Sequence, residues 1–167
     1  YQVEPDSFRQ VPNAPFAYWV SEKIRKSFSV FPKFADKGRA VKQGLASADD
    51  FRFVRTKWEI QTLKSKNKWF PIAKGGTFSP YYGDIHLLVN WVKNGAEIKN
   101  NLNEKGSIRS NVWMLKDTET KFFFRPGLTW LRRTKLFCPK VMPPGVIFSD
   151  GGQAAFNPGR ELVTTAV

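Results

Sequence analysis

The sequence predicts an α+β domain, a small mixed sheet with short helices, preceded by an N-terminal amphipathic helix. Three observations carry that expectation. Between Phe16 and Phe28 the apolar residues Val20, Ile24 and Phe28 recur every fourth position, while Glu22, Lys23, Arg25 and Lys26 fall mostly elsewhere on the wheel, which is helical spacing. Between Ile85 and Trp91 the period drops to two: Ile85, Leu87, Val89 and Trp91 share one face, and His86, Leu88 and Asn90 the other, as in a half-buried strand. The remaining apolar clusters are short, separated by turn residues and mixed in order, without the regular strand–helix alternation of a parallel α/β fold.

Along the chain, Tyr1 to Pro15 holds three prolines and no sustained period, so it reads as an extended lead-in. The helix follows and cannot simply continue through Pro32. Lys37-Gly38 begins a turn before a short strand at Arg39–Gln43. Ser47-Ala48-Asp49-Asp50 can cap a helical turn, and Phe51 to Ile60 is open between helix and strand. Gln61–Asn67 is a polar, lysine-rich connector. Asn94-Gly95 ends the central strand; Ala96 to Leu102, with Ile98 and Leu102 four apart, fits a short helix, although Asn-Gly also permits a hairpin. Val112–Leu115 and Lys121–Phe124 are apolar clusters split by Asp117-Thr118-Glu119. Gly127–Thr134 alternates as a strand with arginines at its exit, and Pro143-Pro144-Gly145 turns the chain into a short buried strand at Val146–Phe148. Two domains result: residues 1–35 as lead-in and linker helix, and residues 36–167. Tyr1 in place of an initiator methionine, and an apolar element that only opens at Arg160–Val167, predict a piece of a longer chain.

Lysine and arginine total 27 against 14 acidic residues, a formal charge of +13, so a polyanion is the expected partner and nucleic acid leads. With 41% hydrophobic and 15% aromatic residues, the charge decorates a folded body and not a disordered tail. It is unevenly placed. Ile60–Gly83 has no carboxylate but holds Lys64, Lys66, Lys68 and Lys74. Lys121–Ser149 likewise has none beside Lys121, Arg125, Arg132, Arg133, Lys135 and Lys140. The lone Cys138 excludes an internal disulfide, and Cys138 with His86 makes no zinc cluster. A reducing, cytoplasmic setting is expected, and no apolar run approaches the ~18 residues of a membrane span.

Within these windows the candidate DNA contacts are Lys74, Gly75, Gly76, Thr129, Arg132, Arg133, Thr134 and Lys135. Paired glycines let backbone come close to another molecule, and Lys74 adds a cation suited to phosphate; the same pair also fits a plain tight turn. Guanidinium groups bind phosphate and hydrogen-bond the guanine edge bidentately; Arg132-Arg133 also fits a solvated strand end. There is no Walker loop or dinucleotide fingerprint. One enzymatic alternative stands: Asp84, thirteen residues before Glu97-Ile98-Lys99, mimics the two carboxylates and lysine of metal-dependent nucleases. Glu119-Thr120-Lys121 repeats the Glu-x-Lys pattern, as chance matches do.

The blocks AYWVSEKIRKSF, VKQGLASADDFRFVR, KWFPIAKGGTFSPYYG with VNW, and GLTWLRRT followed by MPPGVIFSDGGQAAF resemble the target-recognition region of large adenine-specific DNA methyltransferases. The similar enzymes are those of the type IIG restriction-modification and BREX phage-exclusion kind. The resemblance runs from Pro15 to about Val167. It implies a catalytic domain ahead of these blocks, with an S-adenosylmethionine pocket and an Asn-Pro-Pro-Tyr motif that holds the flipped adenine. Here Asn157-Pro158-Gly159 departs from that motif after two residues. The resemblance therefore implies a fragment without catalytic residues, cofactor or metal of its own. It would read double-stranded DNA for the catalytic methyltransferase domain of the same parent chain.

Overall fold

A computed structural model of the chain describes residues 4–36, 38–60, 67–80 and 82–157. Lys37, the connector at 61–66 with Lys64 and Lys66, Tyr81, and everything from Pro158, including the apolar element expected at 160–167, lie outside the described residues. The chain divides into two compact units, Tyr1–Arg39 and Ala40–Val167. Among the described residues no helix is long and apolar enough to cross a membrane.

Among its described residues the first unit holds a 3-10 turn at Pro5–Gln10 and one helix, α1, at Glu22–Val30. The helix starts later than its periodicity suggests, because Ser21 adopts the extended conformation of an N-cap. Its buried residue is Arg25, whose guanidinium donates to the Val20 carbonyl and lies 6.0 Å from the Phe8 ring centre. Ile24 and Phe28 remain 55% and 52% exposed, so the predicted stripe exists but is not a core of this unit.

The second unit is α+β, as the sequence predicts. Among the described residues its strands and α-helices are β1 (Ala40–Lys42), α2 (Asp50–Phe53), β2 (Val54–Thr56), β3 (Trp69–Ala73), β4 (Leu87–Asn90), α3 (Val92–Lys99), α4 (Lys116–Lys121), β5 (Gly127–Thr129), β6 (Lys140–Met142), β7 (Ile147–Phe148) and β8 (Ala154–Phe156). They form two four-stranded sheets. One, ordered β1-β8-β5-β6, is antiparallel throughout; the other, β2-β4-β3-β7, ends in a parallel pair. The segment left open between helix and strand is both in turn. Asp49 caps α2 by accepting from the Arg52 amide at 3.1 Å, and the chain then extends into β2.

Strand β3 contains Pro71, which lacks a donor and argues against a central strand. The register removes the conflict. The Trp91 amide donates to the Lys68 carbonyl at 2.9 Å. The 68/91 and 70/89 pairs are thus the hydrogen-bonded ones, and Pro71 opposite Leu88 is a non-hydrogen-bonded pair. The proline nitrogen therefore faces away from β4, on the side where β7 pairs only with Ile72 and Ala73. Beyond β4 the expected short helix forms, as α3, and the hairpin that Asn-Gly also permits does not: Lys93, Asn94 and Gly95 take left-handed angles and lead into the helical turn.

Leu45, Phe53, Ile72, Val89, Ile98, Met142, Ile147 and Phe148 are buried in one cluster. Strands β7 and β8 are consecutive in sequence but belong to different sheets. Residues 149–153 therefore cross from one sheet to the other, and this crossing is what positions the candidate site.

Candidate nucleic-acid interface

Three loops meet on the crossing segment. The Ser149 amide donates to Ala73 O (3.0 Å) at the exit of β3, and the Asp150 amide to Leu45 O (3.1 Å). From the exit of β5, the Trp130 amide donates to Gln153 O (3.3 Å) and the Arg132 amide to Gly151 O (3.2 Å). As a result Gly75, Gly76, Arg132, Arg133, Asp150 and Gly151 line one open cleft of about 300 Å³. Lys74, Gly75 and Thr129 line a smaller neighbouring one. The glycine pair and the two arginines, far apart in sequence, thus line one cleft, whereas Lys68 lines a separate groove.

The glycines are required by backbone angle. Gly75 and Gly76 have φ of 53° and 128°, where L side chains are strained. A side chain on Gly76 would meet nothing within 4 Å, so its backbone stays open to an approaching molecule. The arginines differ from expectation. Strand β5 stops at Thr129, because β6 pairs only with Gly127–Thr129. Arg132 and Arg133 lie in a bend within the connection, not on a strand.

The fold also supplies carboxylates that the acid-free windows lack. Lys74 is ion-paired with Asp50, Lys68 with Glu97 at 3.0 Å, and Arg132 with Asp150 at 3.8 Å. The Arg133 and Lys135 side chains, both exposed, make no ion pair or hydrogen bond with any described residue. The Thr129 hydroxyl is nearly buried and donates to Gln153 O at 3.0 Å, and the Thr134 hydroxyl donates to Leu136 O at 2.6 Å. Both threonines shape the connection. No sequence signal pointed to Asp150 or to the Asp50–Lys74 pair, since each acid lies outside the window it enters.

Burial pushes the Asp50 carboxyl upward, but hydrogen bonds from Lys74 and Ser47 and the Lys74 charge outweigh it and hold the group below its ordinary value near 3.8. The folded chain thus binds fewer protons here than the unfolded chain. This contribution to stability is complete above pH ~3.8 and is lost as pH falls through the lower folded value. Asp50→Asn should flatten the acid limb of a stability-versus-pH curve below about pH 4. The same change frees Lys74 and should raise the salt slope of any DNA binding by about 0.9, one phosphate's worth. An acid limb and salt slope both identical to wild type would show the pair to be inert.

The nuclease-like set is not assembled. Asp84 lies 3.8 Å from His86 and lines the cleft beside Lys74, whereas Glu97 pairs with Lys68 on a separate groove and Lys99 pairs with Glu119. Hydrogen bonds from Lys68 and Asn90 hold the Glu97 carboxyl below its ordinary range. The two Glu-x-Lys segments therefore join each other through Lys99 and Glu119. Among the described residues no three His, Cys, Asp or Glu side chains group so as to hold a metal ion.

No protein-family model matches the chain. Over 169 residues it is 28% identical to the adenine-specific methyltransferase PglX of Lacticaseibacillus casei (strain Zhang), covering 93% of this chain. Over 159 residues it is 31% identical to the adenine-specific methyltransferase BrxX of Escherichia coli O9:H4 (strain HS), covering 90% of this chain. The chain is similar to a short segment of adenine-specific methyltransferases. It spans only 14% and 12% of the lengths of PglX and BrxX. With nine-tenths of the chain aligned in each case, the similarity extends into both units.

Proposed function

We propose that this chain is a target-recognition part of a larger adenine-specific DNA methyltransferase of the type IIG restriction-modification or phage-exclusion kind. In this reading it reads double-stranded DNA in the cytoplasm for a catalytic domain elsewhere in the same parent chain. The observation that carries the reading is the convergence of the glycine pair, both arginines and the Asp150-Gly151 turn on one open cleft. Similarity to PglX and BrxX supports the enzyme class. We assign residues 1–35 to the junction with the catalytic part and the rest to DNA.

In this reading the chain performs binding and no bond chemistry; S-adenosylmethionine would sit in the catalytic part and supply the methyl group. Arg133 and Lys135, without a carboxylate partner among the described residues, supply affinity by neutralising phosphates. Arg132, with Asp150 at 3.8 Å, is the side chain we assign to a base edge. A guanidinium beside a carboxylate has less charge to offer phosphate, but its planar fork suits bidentate reading of guanine. Lys74 contributes less than its sequence position suggests, because Asp50 holds its ammonium.

The test is titration of duplex DNA at several salt concentrations. Log affinity should fall with log salt by about 0.9 per phosphate neutralised. Arg133→Ala and Lys135→Ala should each lower that slope by about one, whereas Arg132→Ala, made in the full-length parent, should relax the methylated motif at one position at a cost of about 1–3 kcal/mol. Undetectable binding at low salt, or binding indifferent to salt, rejects the reading. Magnesium-dependent nicking lost on Asp84→Ala would replace it with the nuclease alternative.

A further inference from the structure

The connection from β5 to β6 is rooted at both ends and exposed in between. At its start the Trp130 and Arg132 amides are tied to Gln153 and Gly151. At its end Cys138 is buried, with its Sγ donating to the Ser79 carbonyl at 3.1 Å. Between these anchors every residue from Arg132 to Phe137 is exposed. Leu136 and Phe137, directly after two arginines and a lysine, are 63% and 73% exposed. Their presentation is held in place: the Thr134 hydroxyl closes a turn on Leu136 O, and the Phe137 ring meets Trp130 edge-on at 5.5 Å and 62°.

We infer that Leu136 and Phe137 form an apolar wedge that inserts between stacked base pairs of duplex DNA, with Arg133 and Lys135 on the flanking phosphates. Large apolar side chains standing in water on a rooted loop call for a partner surface that is itself apolar. The adjoining cations, which have no carboxylate partner among the described residues, specify a partner that is polyanionic as well. Duplex DNA offers both together, since its base steps are apolar and its edges are phosphate. Proteins that part base steps do so with leucine or phenylalanine side chains of this kind. The inference rests on the DNA-reading proposal. It adds that this chain unstacks the duplex, and unstacking is part of what extruding a base costs.

The experiment is relaxation of closed circular plasmid by a topoisomerase in the presence of the chain, followed by removal of protein and separation of topoisomers. A wedge unwinds the helix wherever it inserts, so the topoisomer distribution should shift in proportion to bound protein. Leu136→Ala with Phe137→Ala, both at exposed positions, should abolish the shift. Affinity and salt slope should meanwhile stay within about threefold of wild type, because the phosphate contacts remain. Salt-dependent binding without a topoisomer shift, or a shift undiminished in the double variant, overturns the wedge and leaves DNA reading intact. Absence of duplex binding at low salt defeats both. Binding to anionic phosphatidylglycerol vesicles that the double variant loses, with no topoisomer shift, reassigns the tip to a membrane surface and also overturns the wedge.

Discussion

Replacing Phe148 with alanine should destabilise the second unit by about 4 kcal/mol, within the range for removing a buried phenylalanine. Phe148 is completely buried, with its ring against Phe123 at 5.4 Å and Phe156 at 5.4 Å. Phe156 belongs to β8 of one sheet and Phe148 to β7 of the other, so this contact joins the sheets. The cavity left by truncation opens at the seam, where neither sheet can close it without moving the crossing segment. Domains of this size are stable by only about 5–15 kcal/mol in total, so the loss should move the urea midpoint markedly. A loss under about 1 kcal/mol would mean that the sheets are held together by something other than this aromatic cluster.

What was legible in the sequence follows from which interactions are local. The caps and turns were readable because they act over a few residues: Asp49 before α2, the glycine pair after β3, and Asn94-Gly95 after β4. The strand β3 was not, because Pro71 argues against it locally and only the register with β4, set by a distant segment, makes it harmless. The extension of β5 to Thr134 failed for a related reason. Alternation of Trp130, Leu131 and Arg132 resembles a strand, but among the described residues no partner strand reaches that far, and the backbone pairs instead with the crossing segment. Charge was read correctly as an excess and incorrectly as free. Lys74 and Arg132 lie in stretches without acids, yet Asp50 and Asp150 reach them through the fold. A sequence window records neighbours along the chain, whereas electrostatic pairing is decided across it.

Gly44→Ala should cost about 3 kcal/mol, the upper part of the range for overpacking, and it should disturb the cleft as well as the fold. A Cβ at Gly44 would stand 2.2 Å from the Phe148 carbonyl oxygen and 2.6 Å from the Ser149 carbonyl carbon. Both are backbone atoms, so no side chain can swing aside. That backbone is fixed in turn: the Leu45 amide donates to Phe148 O at 2.9 Å, and Asp150 returns a bond to Leu45 O. Relief of the clash must therefore break these bonds and push residues 148–150 outward. Asp150 would then draw away from Arg132, and Gly151 would lose its hold on the Arg132 amide. Stability measured by urea denaturation and DNA affinity measured at a temperature where the variant stays folded should fall together. Phe148→Ala, assayed while folded, should spare affinity, because it removes a ring and leaves that backbone in place. If Gly44→Ala lowers stability yet leaves DNA binding unchanged, the crossing segment does not position the DNA-contacting groups.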